Sequence, residues 1–562
     1  MKFNNVAEIL ANHLKKYIKD VFMLTGYGAM YLNDALKQSG IRFYVSRNEA
    51  AAPMMAEAYS KAVSKLSAVC VTAGPGATNA IPGLAEAYVD SAPIIVLSGQ
   101  VEKKFTSDNY KNYNIRSFGI AEFSITDAIK KFTKYSATIN NPYNCIYELE
   151  KAIYFAQEGR KGPVWIEVPL DVQSFQIKDK KKLRKFIRPK KKKKKIQLNQ
   201  FLNILNKSKK PIFIIGNGIK QSKSKNIFNQ INNKLNIPFL CSRFAIDLFP
   251  FSKKNNMGQV GIKGQLYNEK ILSNTDLIIS LGCRLGPALT MKNKNFFSKK
   301  VKKIIVDVDK SSLKHPLVKF DYKLNENVAD FLHELKNQLK KIKYQIDYEK
   351  IKWSKYCNYL KKNNPIDLIK NKNNPIDLYR FMYLLNKISK KGSIFTNDAG
   401  SNYYVGGQVW YFENKQMEIC SSTNAAMGLS VPLSIGAAVA SPKTQIISVT
   451  GDGSIELNIQ ELKTISHYNL NIKTFVINNG GYASMRNWQD NVFDGNRIDT
   501  KRLTGVGTLN FKNIAKAFNL NYFLIEKESL IEKSLKKIFT KKGPCLIEVV
   551  TNPNQKILGA EI

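Results

Sequence analysis

Short apolar runs alternate with longer stretches in which apolar residues recur every three or four positions, and this rhythm covers almost the whole chain. Residues 21–24 (Val-Phe-Met-Leu), 69–71 (Val-Cys-Val) and 94–97 (Ile-Ile-Val-Leu) are too short for helices and show no polar alternation, as strands buried on both faces do. They run into glycine turns: Gly26-Tyr27-Gly28, Gly74-Pro75-Gly76 and Ser98-Gly99-Gln100. A second set, at 211–215, 277–281 and 304–308, leads into Gly216-Asn217-Gly218, Gly282-Cys283-Arg284 and Asp309. A third lies at 394–396, 445–449 and 473–477. Strands separated by amphipathic helices predict an α/β fold with three doubly wound parallel-sheet domains.

The rhythm breaks at two places. Residues 178–197 carry Lys178-Asp179-Lys180-Lys181-Lys182 and then six lysines in a row, Lys190 to Lys195, a like-charge run expected to stay extended as a surface linker. Residues 346–372 are rich in Lys and Asn and are expected as a second linker. The domains are therefore placed at 1–177, 198–345 and 373–555. Asn-Asn-Pro-Ile-Asp-Leu occurs at 363–368 and again at 373–378, too few copies for a repeat architecture. The second copy is expected to start a helix, with Asn374 before Pro375 in the first turn.

Composition narrows the class. A chain of 562 residues exceeds one core, and its apolar and charged fractions are those of a water-soluble globular protein. The net charge of +43 raises nucleic acid or an anionic surface as partner, a reading that salt-sensitive retention would support. No nucleic-acid module accompanies it. The excess is lysine amid abundant Asn and Ile, so a solvated basic surface is expected, with no nucleic-acid partner. The seven cysteines stand singly, which predicts neither a zinc site nor a disulfide framework and fits a reducing cytoplasm. Met1 to Asn5 leads into an amphipathic helix rather than a signal peptide, and no apolar run reaches the roughly 18–20 residues that span a bilayer, so no membrane partner is expected.

The richest chemistry lies between 451 and 479. Gly451-Asp452-Gly453-Ser454 follows the strand at 445–449, where open α/β sheets place ligands, and a helix with Ile459, Leu462 and Ile465 on one face follows it. Glycines admit a phosphate close to the backbone, and a helix N-terminus favours an anion. The strand at 473–477 then returns Asn479 to the same sheet edge. A carboxylate, an amide oxygen and a backbone carbonyl suit Mg²⁺, a hard ion commonly shared with substrate phosphates.

Gly-Asp-Gly closing on Asn478-Asn479 resembles the diphosphate-binding motif of thiamine diphosphate (ThDP) enzymes. Arg47-Asn48-Glu49-Ala50-Ala51-Ala52, then Gly74-Pro75-Gly76-Ala77-Thr78-Asn79, then Leu97-Ser98-Gly99-Gln100 resembles the pyrimidine-binding domain of their acetolactate synthase branch. The resemblance extends over all three domains in family order: pyrimidine-binding, central Rossmann-like and diphosphate-binding. It implies that Glu49 hydrogen-bonds the aminopyrimidine and drives the amino group towards the imino tautomer that deprotonates the thiazolium carbon. It implies Mg²⁺ on Asp452, Asn479 and the Gly481 carbonyl, with Gly451, Gly453, Ser454 and Tyr482 beside the cofactor. Asp398, Gly400, Ser401 and Asn402 would contact the diphosphate end, while Ala425 and Met427 would form a wedge under the bent cofactor. From the first domain, Gly26, Tyr27, Gly28, Thr72, Pro75, Gly76 and Asn79 would complete the cofactor site. FAD occupies the central domain in acetolactate synthases and is absent or replaced in relatives, so FAD stays open here.

Members of this family decarboxylate a 2-oxo acid and differ in what receives the remaining unit. Decarboxylases commonly use histidines as general acids. The chain has only His13, His315, His333 and His467, none beside Glu49 or the glycine turns, which favours transfer to a second carbonyl compound. Asn487-Trp488-Gln489-Asp490 resembles the segment whose Trp shapes the acceptor pocket. Two departures stand out. Ile120-Ala121-Glu122 replaces the family's Phe-Gln-Glu, and Ala288 stands where an Arg would grip the acceptor's carboxylate. Lys292 or Lys294 is the expected substitute. The acceptor is thus a second 2-oxo acid such as pyruvate, or another ketone or aldehyde such as a nucleotide-linked keto sugar; a simple decarboxylase or oxidase is the alternative. The resemblance also implies a homodimer or homotetramer with the cofactor between subunits.

Overall fold

A computed structural model of the chain describes residues 4–190, 195–342, 346–366, 375–413, 415–421 and 423–559, with Lys111 described for its backbone alone. Met1 to Phe3, the lysines at 191–194 and Asn374, on which expectations were placed, lie outside the described residues.

Among the described residues three six-stranded sheets form, and every strand pairing within them is parallel. The first contains β1 (Asp20–Met23), β2 (Arg42–Val45), β3 (Ser67–Val71), β4 (Ile94–Gln100), β5 (Tyr135–Thr138) and β6 (Val164–Pro169), in the order β2-β1-β3-β4-β6-β5. The second contains β7 (Pro211–Ile215), β8 (Phe239–Cys241), β9 (Asn256–Gln259), β10 (Leu277–Leu281), β11 (Lys302–Val306) and β12 (Tyr322–Leu324), in the order β12-β11-β10-β7-β8-β9. The third contains β13 (Ile394–Asn397), β14 (Met417–Ile419), β15 (Ile446–Gly451), β16 (Ile472–Asn478), β17 (Asn521–Ile525) and β18 (Cys545–Val550), in the order β14-β13-β15-β16-β18-β17. The first and third sheets share one topology. In each, the strand order reverses direction between the first and third strands of the sheet, which opens a crevice at the strands' C-terminal ends. In the middle sheet the same switch falls between β7 and β10.

The central strands are buried along their whole length, as their unbroken apolar runs require. One apolar core joins the first and third sheets, and another joins the second and third. Helix Ala51–Val63 lies across helix Ser430–Ala440 so closely that a Cβ on Gly436 would sit 1.9 Å from the Met55 carbonyl oxygen.

Three local expectations change. The stretch 346–372, read as a linker, carries helix Tyr348–Asn363, which buries Trp353, Cys357 and Leu360 on the middle sheet; the Trp353 indole donates to the Pro211 carbonyl at 2.9 Å. Pro375 stays ahead of the next helix, Leu378–Ile388. Its N-cap is Asp377, whose carboxylate accepts from the Arg380 amide, while Ile376 is held extended by a bridge to Thr551. After Gly-Asp-Gly-Ser a 3₁₀ turn, Ile455–Asn458, precedes the α-helix Glu461–His467, so no long helix points its N-terminus at Asp452. The described part of the lysine-rich linker lies over the first domain, where Arg188 pairs with Glu150 at 2.9 Å.

A candidate active site in two halves

The third sheet builds one half at the switch between β13 and β15. Asp452 follows β15 and is almost fully buried; its two oxygens accept from the Gly453 amide at 3.1 Å and the Gly481 amide at 2.8 Å. Burial pushes its carboxyl up to about 6, a cost that a bound cation would remove. Asn479, just past β16, buries a side-chain oxygen that has no hydrogen-bond partner, and the Ser401 hydroxyl is buried and unpartnered in the same way. Buried polar atoms are rarely left so, and both of these belong to residues expected at the diphosphate end. Gly480 and Gly481 adopt φ of +75° and +113°, which only glycine accommodates without strain and which turns the loop over Asp452. These residues fit Mg²⁺ shared with a diphosphate: a carboxylate, an orphaned amide oxygen and a loop carbonyl, with phosphate oxygens to fill the remaining positions.

Around this core the turns are braced. The Asp398 carboxylate accepts from Thr450 at 2.7 Å, Ser454 at 2.9 Å and Asn402 at 3.2 Å, so its oxygens hold protein groups. Burial raises it to about 6 against those bonds. Ser454 donates nothing to the Gly428 turn but accepts from the Gly428 amide at 2.8 Å, and Asn458 holds the Gly428 carbonyl at 3.0 Å, fixing Met427. Met427 is half-buried and outside the apolar cores. Ala425 (φ 51°) and Gly400 (φ 94°) shape the neighbouring turns. The Tyr482 ring lies against Gly453, where a Cβ would come within 2.4 Å of it. Gly451 ends β15. Sequence reasoning missed Arg486, whose buried guanidinium donates to the carbonyls of Asn479, Gly480, Thr500 and Pro553 and so fastens the Asn-Asn-Gly-Gly loop. Its only sequence signal is its place one turn after that loop.

The first sheet builds the other half, at the ends of β1 and β3. A Cβ on Gly26 would lie 2.5 Å from that of Thr72, and one on Gly76 would reach Thr72 at 2.5 Å and the Glu49 carboxylate at 3.4 Å. Glu49 is half-buried in the turn before helix Ala51–Val63, and Asn79, at the end of helix Pro75–Asn79, donates to it at 3.2 Å. Gly28 packs on Ala73, while Tyr27 is 74% exposed. Behind them Glu461 of the third domain accepts from the Arg47 and Asn48 amides at 2.8 and 3.1 Å, a support the sequence did not reveal because the partners lie over 400 residues apart.

Beside this half, Ala121 takes φ 56° and sets its carbonyl against Gly74, with Ile120 94% exposed. Gln100 links that loop, through the Phe123 carbonyl at 2.8 Å, to the buried Glu167 at 3.1 Å. Desolvation pushes Glu167 up to about 8, with Asp108 and Glu122 adding repulsion against the bonds from Thr138 and Gln100. A carboxyl raised in the folded state contributes stability that is full below its unfolded pKa and lost as pH rises to the folded value. Glu167→Gln is therefore expected to gain on the wild type by up to about 4 kcal/mol between pH ~5 and ~8. Thermal unfolding midpoints of the two apoproteins across that range check this; parallel curves would contradict it.

Among the described residues, no hydrogen bond or ion pair joins Glu49, Gly26 or Thr72 to Asp452, Asn479 or Ser401. Trp488 lies on helix Ala483–Val492 of the third domain, 41% exposed. None of the four histidines reaches either half: His13 pairs with Glu150, His315 meets the Leu285 carbonyl at 2.9 Å, and His333 and His467 are exposed. Of the cations expected to replace an Arg at 288, Lys292 donates to the Gly559 carbonyl at 2.6 Å and Lys294 is exposed.

Two sheets of one topology, each ending at its switch point in glycine turns, have the form of an α/β protein that holds ligands at its strand ends. Family models agree domain by domain: the N-terminal TPP binding domain of thiamine pyrophosphate enzymes matches residues 4–120, their central domain 198–335 and their C-terminal TPP binding domain 398–549. The acetolactate synthase large subunit of Porphyra purpurea is 30% identical over 538 residues, covering 94% of this chain and 88% of its own. That of Lactococcus lactis is 29% identical over 548 residues (96% and 91%), and that of Buchnera aphidicola from Schizaphis graminum 30% over 509 (87% and 84%). The chain belongs to the thiamine diphosphate-dependent enzymes, in their acetolactate synthase-like branch.

Proposed function

We propose that this enzyme, with Mg²⁺ as its metal, decarboxylates pyruvate or a close 2-oxo acid and transfers the two-carbon unit to a second carbonyl compound. The observation that carries the transfer reading is the absence of any imidazole from both halves, which leaves no histidine to protonate the bound fragment. ThDP, when bound, supplies the electron sink for loss of carbon dioxide. Glu49 holds a proton against the pyrimidine, with Asn79 fixing the carboxylate. Asp452, Asn479 and the Gly481 carbonyl hold the metal, and Gly451, Gly453, Ser454, Tyr482, Gly400, Ser401 and Asn402 enclose the diphosphate. Ala425 and Met427 support the cofactor from below. Gly26, Tyr27, Gly28, Thr72, Pro75 and Gly76 shape the pyrimidine side, Trp488 borders the acceptor, and Asp398 braces the turn at Asp452.

The two halves serve different copies in this reading: a homodimer, or a homotetramer of two such pairs, with the pyrimidine on Glu49 of one subunit and the diphosphate on Asp452 of the partner subunit. The apolar side chains exposed beside both halves support it, among them Tyr27, Met30 and Ile120 on one and Leu457, Met485 and Leu503 on the other. In the middle sheet a cleft of about 490 Å³ opens at the switch between β7 and β10, lined by Gly218, Gly282, Arg284, Asp307 and Asn327. FAD is the occupant we propose for it. A cytoplasmic setting suits the cysteines, all unpaired and buried. No described helix is long and apolar enough to cross a membrane.

The test is product analysis of the purified protein with ThDP, Mg²⁺ and labelled pyruvate alone. Acetolactate establishes pyruvate as both donor and acceptor. Free acetaldehyde or peroxide overturns the transfer reading. Slow turnover that a ketone, aldehyde or keto sugar accelerates keeps the transfer and changes the acceptor.

A further inference from the structure

Among the described residues, the seam between the middle and third sheets holds a cation with no anion beside it. Loop 260–264 folds onto the turn at Ala288: the Ile262 amide donates to the Ala288 carbonyl at 3.0 Å, and Gly261, at φ +108°, approaches it so closely that a Cβ would lie 2.3 Å from that oxygen. The next residue, Lys263, sets its ammonium 3.2 Å from the centre of the Tyr404 ring. Tyr404 is three residues beyond Ser401 on helix Ser401–Val409, so the ring shares a helix face with the unpartnered hydroxyl at the diphosphate end. The neighbouring cations are engaged: Lys292 on Gly559, and Arg284 on the Thr423 hydroxyl at 3.0 Å, at the start of the segment leading to Met427. Lys263 makes no hydrogen bond or ion pair through its ammonium among the described residues. Burial and the nearby Lys292 lower it to about 8, and no carboxylate acts on it.

We propose that Lys263 binds the anionic group of the acceptor substrate, a carboxylate or phosphate on the second carbonyl compound, at the place that Ala288 leaves without a cation. The inference rests on the transfer reading above. A half-buried ammonium over an aromatic face, beside a second positive charge, gains most from an incoming anion, and a charge-assisted bond there positions the acceptor's carbonyl. Lysine on a flexible stem grips less selectively than arginine, which suits acceptors of more than one shape.

The test compares wild type, Lys263→Met and Lys263→Arg as holoenzymes. With pyruvate as donor and 2-oxobutyrate as acceptor, Lys263→Met is expected to raise the acceptor KM about 10- to 100-fold. Single-turnover release of labelled carbon dioxide from carboxyl-labelled pyruvate and the affinity for ThDP should stay unchanged, and Lys263→Arg should restore the KM. In the wild type the KM should climb above pH ~8, as the ammonium facing Tyr404 and Lys292 loses its proton, and stay flat in Lys263→Arg. An unchanged KM in Lys263→Met, or a parallel loss of ThDP binding or of the single turnover, overturns the proposal. If the wild type releases no carbon dioxide from any 2-oxo acid, the function reading fails instead. Lys263 is then judged by mass spectrometry of acetic anhydride labelling: protection by added pyruvate sustains the anion site, and equal labelling removes it.

Discussion

Glu49→Gln is expected to slow turnover by about 10²- to 10⁴-fold while ThDP and Mg²⁺ remain bound. Glutamine keeps the shape of the side chain and an oxygen able to accept the Asn79 amide, which now lies 3.2 Å from the carboxylate. It also fits the narrow space beside Gly76, where a single added carbon would meet the carboxylate at 3.4 Å. What it loses is the capacity to hold a proton against the pyrimidine ring. The loss should therefore appear in proton chemistry and not in affinity. Exchange of the thiazolium proton into deuterated water, followed by NMR on the reconstituted protein, reads that step directly. Exchange as fast as in the wild type would remove Glu49 from its role, whatever the effect on turnover.

Asp452→Asn is the second large effect, and it should fall on binding. The amide still offers one oxygen to the Gly453 or Gly481 amide, so the turn is expected to survive. The negative charge opposite the metal is gone. Removing an outer-shell partner of a metal ligand typically costs ~10- to 100-fold in affinity, and removing the charged ligand itself should cost at least ~100-fold. Titrating ThDP at fixed Mg²⁺, with tryptophan fluorescence or calorimetry as readout, checks it, and the stimulation of ThDP binding by Mg²⁺ should disappear. Asp398→Asn provides the contrast. Its carboxylate is occupied by Thr450, Ser454 and Asn402, so the amide should lower thermal stability and leave the response to Mg²⁺ in place. If the two variants behave alike, the assignment of Asp452 to the metal falls.

Much of this architecture is written in local pattern. Apolar runs of three to five residues, most of them leading into glycine turns, become the central strands, and the glycine turns after β1, β3 and β15 fall where both halves of the site form. Asp452 and Asn479 stood out in the sequence because they follow strand ends beside glycines, and Glu49 because the motifs around it resemble the family's. Helix Tyr348–Asn363 was not, because its buried face is only Trp353, Cys357 and Leu360 amid lysines, too sparse a stripe to stand out from a linker.

The sequence by itself determined the order of strands and helices, the glycine turns and the motifs that mark the family. Only the tertiary structure decided which partners those groups meet. Asp398 and Asp452 look alike as aspartates following strands, yet one accepts from three side chains and the other from the backbone amides of Gly453 and Gly481. Lys292 was nearer to Ala288 in sequence, but the Gly559 carbonyl takes its ammonium, while Lys263 arrives from a loop 25 residues away and, among the described residues, meets the Tyr404 ring and no anion. Backbone form follows short-range sterics and hydrogen bonding. Whether a buried polar group is satisfied depends on distant segments meeting in space, and that is settled only when the sheets pack.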